Sequence, residues 1–167
     1  MMRSLSAALL FLSVTAGAAS AQPVIYLVRH AERADAGTAA AKMTGSDPEL
    51  SAAGKSRASA LAEVLRDARI SAVYTTEYKR SRETAEPLAR AAGLAVTVVS
   101  SKDAAGLVEK VKSATGNVLV VGHSNTVPDL IKALGVTEAV TIAEDQYDRL
   151  FVVVRGTPAT LLSLRYR

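Results

Sequence analysis

"VIYLVRH", Val24 to His30, decides the fold. Val24 to Val28 is apolar and rich in β-branched residues, the pattern of a strand buried on both faces. Such a strand normally closes on a turn residue. This one closes on Arg29 and His30, with Glu32 and Arg33 close behind. A second run of the same form, "NVLVVGH", ends at His123.

Strand and helix patterns alternate between and beyond these runs. A polar, Ala-rich loop covers residues 34–50, with turn signals at Thr44-Gly45 and Asp47-Pro48. Ser51 fits a helix N-cap, followed by Ala58, Leu61, Ala62, Leu65 and Ala68 at helical spacing. Strands are predicted over Ile70–Tyr74, Leu94–Val99 and Val118–Val121. Helices are predicted over Tyr78–Ala92 (ending at Gly93), Ala104–Ser113 and Val127–Leu134. Two last runs, Leu150–Val154 and Ala159–Leu164, flank Gly156-Thr157-Pro158 as an antiparallel hairpin with a loop of about four residues. The alternation predicts an α/β fold: a three-layer α/β/α sandwich with a mostly parallel central sheet.

Residues 1–21 read as a secretory signal peptide. Met1-Met2-Arg3 is a short basic start, Leu5 to Gly17 is apolar or small, and Ala19-Ser20-Ala21 forms an A-x-A site before Gln22-Pro23. The apolar stretch is too short to span a bilayer comfortably. The expectation is export, periplasmic or secreted, with cleavage after Ala21, no stable membrane anchor, and one domain over residues 22–167. Arg3 is the only charge in the leader, so the net charge of +4 becomes +3 on cleavage. That balance gives a mild attraction to anions. The absence of a basic run and the 4% aromatic content speak against nucleic-acid binding. With no cysteine and two histidines, disulfides, thiolate metal sites and a three-His site are excluded. No metal or cofactor is expected.

In parallel sheets, ligands bind beyond the carboxyl ends of the strands. Both histidines sit at that address. If their strands are neighbours, about 4.8 Å apart, the imidazoles face one crevice. The stretch "VYTTEYKRSRETAEPLA", Val73 to Ala89, leaves the next strand and carries Thr75, Thr76, Lys79, Arg80 and Arg82. Lys79 and Arg82 fit a solvated face, while Arg80 fits an inward position. Two imidazoles, two guanidiniums, hydroxyls and helix N-termini suit a tetrahedral oxyanion. A neutral imidazole there can attack phosphorus while the cations stabilise the oxygens. Activity is then expected to fall in strong acid, as His30 becomes protonated.

Taken in order, "LVRHAE" (Leu27–Glu32), "LSAAGKSRA" (Leu50–Ala58), "VYTTEYKRSRETAEPLA" and "VLVVGHSNTVP" (Val118–Pro128) resemble the histidine phosphatase superfamily, in its short, phosphoglycerate mutase-like branch 1. The resemblance spans nearly all of residues 22–167. It implies a phosphoric monoester hydrolase of the histidine acid phosphatase type acting on small phosphorylated substrates. It further implies that His30 is the nucleophile that becomes phosphohistidine, that Arg29 and Arg80 bind the phosphoryl group, and that His123 hydrogen-bonds its oxygens. Thr76, Ser124 and Asn125 are further candidate substrate contacts, although Asn125 also reads as a helix cap and Thr75 and Thr76 as turn residues. Tyr147 and Asp148 fit a structural place near the entrance.

The proton donor is the least legible part. The position after His123 carries Ser124 where some relatives have an acid. Asp103 is the candidate in the loop after the third strand, though it equally fits a helix N-cap. Asp129 and Glu32 are weaker candidates. The favoured expectation is a metal-independent phosphatase. A non-catalytic phosphate-ester binding module, a mutase and a phosphohistidine phosphatase are the alternatives.

Overall fold

The computed structural model describes residues 22–37 and 47–167. The expected leader and the turn at Thr44-Gly45 lie outside these residues. Six strands and four helices alternate: β1 (Val24–Arg29), α1 (Ala52–Val64), β2 (Ile70–Thr75), α2 (Lys79–Ala91), β3 (Val96–Val98), α3 (Ala104–Ser113), β4 (Asn117–Gly122), α4 (Thr126–Ala133), β5 (Arg149–Val154) and β6 (Thr160–Arg165). The sheet order is β3-β2-β4-β1-β5-β6. The first four positions are mutually parallel, and β5 and β6 add antiparallel pairs. The fold is thus the expected α/β sandwich, with a mostly parallel sheet.

Strand side chains alternate between two cores, as the pleat requires. Ile25, Leu27, Val118, Val120, Phe151 and Val153 face α3 and α4 with Val111, Leu130 and Ile131. Val28, Leu119, Val121, Leu150 and Val152 face α1 and α2 with Leu61, Leu65, Ala85 and Leu88. β1 is less uniformly buried than its sequence suggests, because Val24 and Tyr26 are only half-buried. β3 is shorter than the apolar run Leu94–Val99, which pairs only at Val96–Val98, and the hairpin loop is five residues, 155–159.

The order β4-β1 is what builds a site. The chain leaving β1 enters α1 on one face of the sheet, and the chain leaving β4 enters α4 on the other. The carboxyl ends of β1 and β4 therefore flank a crevice from which the connections diverge, the switch point where α/β sheets bind ligands. β5 runs antiparallel to β1, with Val28 opposite Leu150. The segment entering β5 is thereby brought to the same end of the sheet.

Candidate active site

Arg29 stands opposite Gly122 in the β1–β4 ladder. The pairing continues one step further, with the His30 N–H donating to the Gly122 carbonyl at 2.9 Å. His30 and His123 are therefore neighbours, their ring centroids 5.3 Å apart at 64°. They line a cavity of about 330 Å³ with Arg29, Arg33, Tyr78, Arg80, Ser101, Ser124, Asn125, Thr126 and Glu144.

His30 lies on the floor, 4% exposed. Its Nδ1 is 2.8 Å from the Ala31 carbonyl oxygen. A carbonyl only accepts, so Nδ1 carries the ring proton and Nε2 keeps the lone pair. Burial lowers the imidazole pKa to about 3. The bond to Ala31 opposes this, while His123, Arg80 and Arg29 reinforce it. Desolvation thus outweighs the arginines as the cause of the neutral nitrogen.

His123 is oriented by hydroxyls. Its Nε2 lies 3.0 Å from Thr76 Oγ1, which donates to Ser81 Oγ at 2.8 Å. The His123 N–H donates to Thr126 Oγ1 at 2.9 Å, and Tyr78 meets the ring edge-on at 5.2 Å. Burial, then Arg80, lowers the His123 pKa to about 4, with Glu77 opposing. Burial alone would raise the Glu77 carboxyl, but hydrogen bonds from its own backbone and from Ser101, together with His123, bring it below the ordinary value. Thr76 was expected to contact substrate; its hydroxyl is instead committed to His123 and Ser81.

Arg80 is the second residue of α2, and its side chain is 11% exposed. Its guanidinium lies 4.2 Å from the centre of the Tyr78 ring, and Nη1 is 3.7 Å from Asp47. Nε and Nη1 are buried without a hydrogen-bond partner among the described residues. Burial, then nearby Arg33, lowers the Arg80 pKa, and Asp47 opposes. Lys79 and Arg82 are exposed, as expected.

Arg29 is more constrained than its sequence suggests. Nη1 donates to the carbonyls of Ala143 and Glu144 at 2.8 and 2.9 Å, and Nη2 to the Glu144 carboxylate at 3.0 Å. The guanidinium stacks 4.3 Å from the centre of Tyr147, whose ring is 6.1 Å from His30. Tyr147 therefore supports the site, whereas Asp148 pairs with Arg165. Ser124 lines the cavity and donates to Glu144 at 3.0 Å. Asn125 also lines it and makes no side-chain capping bond to α4.

The expected proton donors are elsewhere. Asp103 caps α3, accepting from the Gly106 N–H at 2.9 Å. With Asp129 it lines a separate, largely apolar cavity between α3 and α4. Glu32 is held by Arg57 at 2.6 to 2.9 Å. That pair belongs to a brace behind the nucleophile. Ser51 caps α1, its N–H donates to the Glu32 carbonyl at 2.9 Å, and Gly54 packs so closely that a Cβ there would lie 2.3 Å from the Glu32 oxygen. A second brace is Thr84, fully buried. Its hydroxyl accepts from the Ala31 N–H at 2.9 Å and donates to the Arg80 carbonyl at 2.7 Å.

Sequence reasoning missed Arg33, Glu144 and Thr84. Arg33, held in a two-point pair by Asp35 at 2.8 and 2.7 Å, was visible as a charge close behind His30. Glu144 had no local signal beyond the polar run that contains it.

Residues 25–103 match the family described as the histidine phosphatase superfamily, branch 1. No curated protein matches the chain by sequence. Among solved structures, a mycobacterial glucosyl-3-phosphoglycerate phosphatase complexed with VO3 is 15% identical, with a TM-score of 0.65 over 84% of this chain and 97% of that one. The protein histidine phosphatase SixA complexed with tungstate is 18% identical, with a TM-score of 0.66 over 85% and 96%. A putative α-ribazole-5'-P phosphatase from Escherichia coli is 17% identical, with a TM-score of 0.64 over 86% and 96%. At these identities the likeness is one of fold.

Proposed function

We propose, from the match of residues 25–103 to the histidine phosphatase superfamily, branch 1, that this chain hydrolyses small phosphomonoesters through a phosphohistidine on His30. The observation that carries this reading is the state of His30. Its ring is neutral, its proton is fixed on Nδ1 by the Ala31 carbonyl, and its Nε2 lone pair belongs to a cavity lined by three guanidiniums.

In this mechanism the phosphoryl oxygens are held by the unpartnered Nε and Nη1 of Arg80 and by Nη2 of Arg29. Charge-assisted bonds of this kind suit tetrahedral oxyanions. His30 Nε2 attacks phosphorus in line. The N–P bond forms as the bond to the ester oxygen breaks, and the leaving oxygen departs opposite the nucleophile. Water then attacks the phosphohistidine, losing one proton, and phosphate leaves with His30 neutral again. His123 is held beside the equatorial oxygens by Thr76, and in both steps its Nε2–H turns from the Thr76 hydroxyl to one of those oxygens. The guanidiniums supply the countercharge that a metal ion would otherwise provide. We further propose that the protein works outside the cytoplasm after cleavage following Ala21, a reading supported by the leader's composition. A mass for the exported protein that starts at Gln22 tests it.

The test of activity is release of a nitrophenol from an activated aryl phosphate in the presence of EDTA, run beside His30→Ala. Release that survives EDTA and disappears in the variant is expected. Phosphate binding without release by the wild type would instead assign a binding module. Release abolished by EDTA would overturn the site assignment.

A further inference from the structure

We propose that Glu144 is the general acid that protonates the leaving group, and the base that activates water in the second step; this rests on the phosphatase reading above. Glu144 is the one carboxylate lining the His30 cavity among the described residues. The other acids near the site have different work. Glu32 holds Arg57, Asp35 holds Arg33, Asp47 accepts from the Lys79 N–H, Glu77 accepts from Ser101, and Asp103 caps α3.

Depth in the cavity favours Glu144 for this role. His30 is 4% exposed on the floor, whereas the Glu144 side chain is 85% exposed at the mouth. In-line displacement sends the leaving oxygen away from the floor, toward the carboxyl. The backbone that delivers this side chain is fixed. The Gln146 N–H donates to the Ala143 carbonyl at 3.0 Å, closing a turn over residues 143–146, and Arg29 Nη1 holds the carbonyls of Ala143 and Glu144.

The contacts of Glu144 also supply a way to load the proton. Its carboxylate sits on Arg29 Nη2 and Ser124 Oγ, each at 3.0 Å. An incoming phosphate dianion competes for the same donors. The displaced carboxylate then lies beside two negative charges, which favour its protonated form. The positive and titratable groups facing it are Arg29 from β1 and, across the cavity, His30, Arg33, Arg80 and His123; Asp145 adjoins it in the chain. Glu144 takes up one proton as it leaves Arg29. It passes that proton to the ester oxygen as the P–O bond breaks, and as carboxylate it accepts one from the attacking water.

The experiment is a leaving-group series on Glu144→Gln and wild type, from dinitrophenyl phosphate to phenyl and alkyl phosphates, with vanadate inhibition measured alongside. A general acid matters in proportion to the basicity of the leaving oxygen. The variant is expected to lose about 10²- to 10³-fold in kcat/KM on alkyl phosphates and less than about tenfold on dinitrophenyl phosphate. A uniform loss across the series would overturn the proposal. So would a uniform gain with tighter vanadate inhibition, which would make the carboxylate a competitor for Arg29 and nothing more. Wild-type turnover of the dinitrophenyl ester keeps the phosphatase reading whichever way Glu144 falls. Its absence would remove both.

Discussion

Thr84→Val is the sharpest test of how the site is held. The side chains are nearly isosteric, so the change deletes the hydroxyl and keeps the volume. In the wild type that hydroxyl accepts from the Ala31 N–H at 2.9 Å and donates to the Arg80 carbonyl at 2.7 Å. The Arg80 carbonyl lies in the first turn of α2 and keeps its helical partner. The Ala31 N–H keeps none, and Ala31 is fully buried. Orphaning a buried donor costs about 1–3 kcal/mol. A central value of about 2 kcal/mol is a roughly 30-fold change in the unfolding constant, and lowers Tm by about 4–8 °C at this chain length. Urea unfolding should show the loss as a lower midpoint with an unchanged slope. Catalysis should suffer too, by roughly tenfold in kcat, because Ala31 carries the carbonyl that fixes the His30 proton. Thr84→Ser keeps the hydroxyl and loses about one buried methyl, worth roughly 0.8 kcal/mol. If Val and Ser variants lose activity equally, or if the Val variant unfolds within about 0.5 kcal/mol of wild type, the brace argument is wrong.

Four further outcomes follow from the site and its braces. NMR titration of the free protein should place both imidazoles far below an ordinary histidine, near 3 for His30 and 4 for His123, and a midpoint near 6.5 for either would contradict the buried site. Because the His30 pKa is lower in the folded than in the unfolded chain, folding stability is lost as pH falls below about 6.5, by about 2 kcal/mol at pH 5 from this residue alone. Urea midpoints at pH 7 and pH 5 should show that loss, and His30→Asn should shrink it. Gly54→Ala forces a Cβ against the Glu32 main chain and should cost about 1–3 kcal/mol with weaker vanadate inhibition. A variant as stable as wild type would refute the close approach. Arg80→Lys keeps the charge and loses the fork, so inhibition by phosphate should weaken by about 10- to 100-fold while the melting temperature changes little.

What the sequence could and could not reveal follows from the distance over which each feature is encoded. The histidines were legible because each ends its own apolar strand, a signal contained in seven residues. Arg80 was legible from its place at a helix start. For Asp103 the sequence leaves a proton donor and a helix N-cap both open, and local capping chemistry claims it. Glu144 was invisible for the opposite reason. It lies 115 positions from Arg29 in a segment without periodicity, and only the antiparallel pairing of β5 with β1 brings it to the site. Thr84 looks like any helical threonine until the chain after β1 is laid across it.

The partner that fixes the proton on His30 is a main-chain carbonyl, not a side chain. No side-chain replacement at residue 31 removes that acceptor, and it brings no charge of its own. The tautomer is therefore inherited from the path of the backbone and is sheltered from most point mutations. Lineages carrying this strand end are free to rebuild the mouth of the cavity, changing what is cleaved, while the attacking nitrogen stays the same.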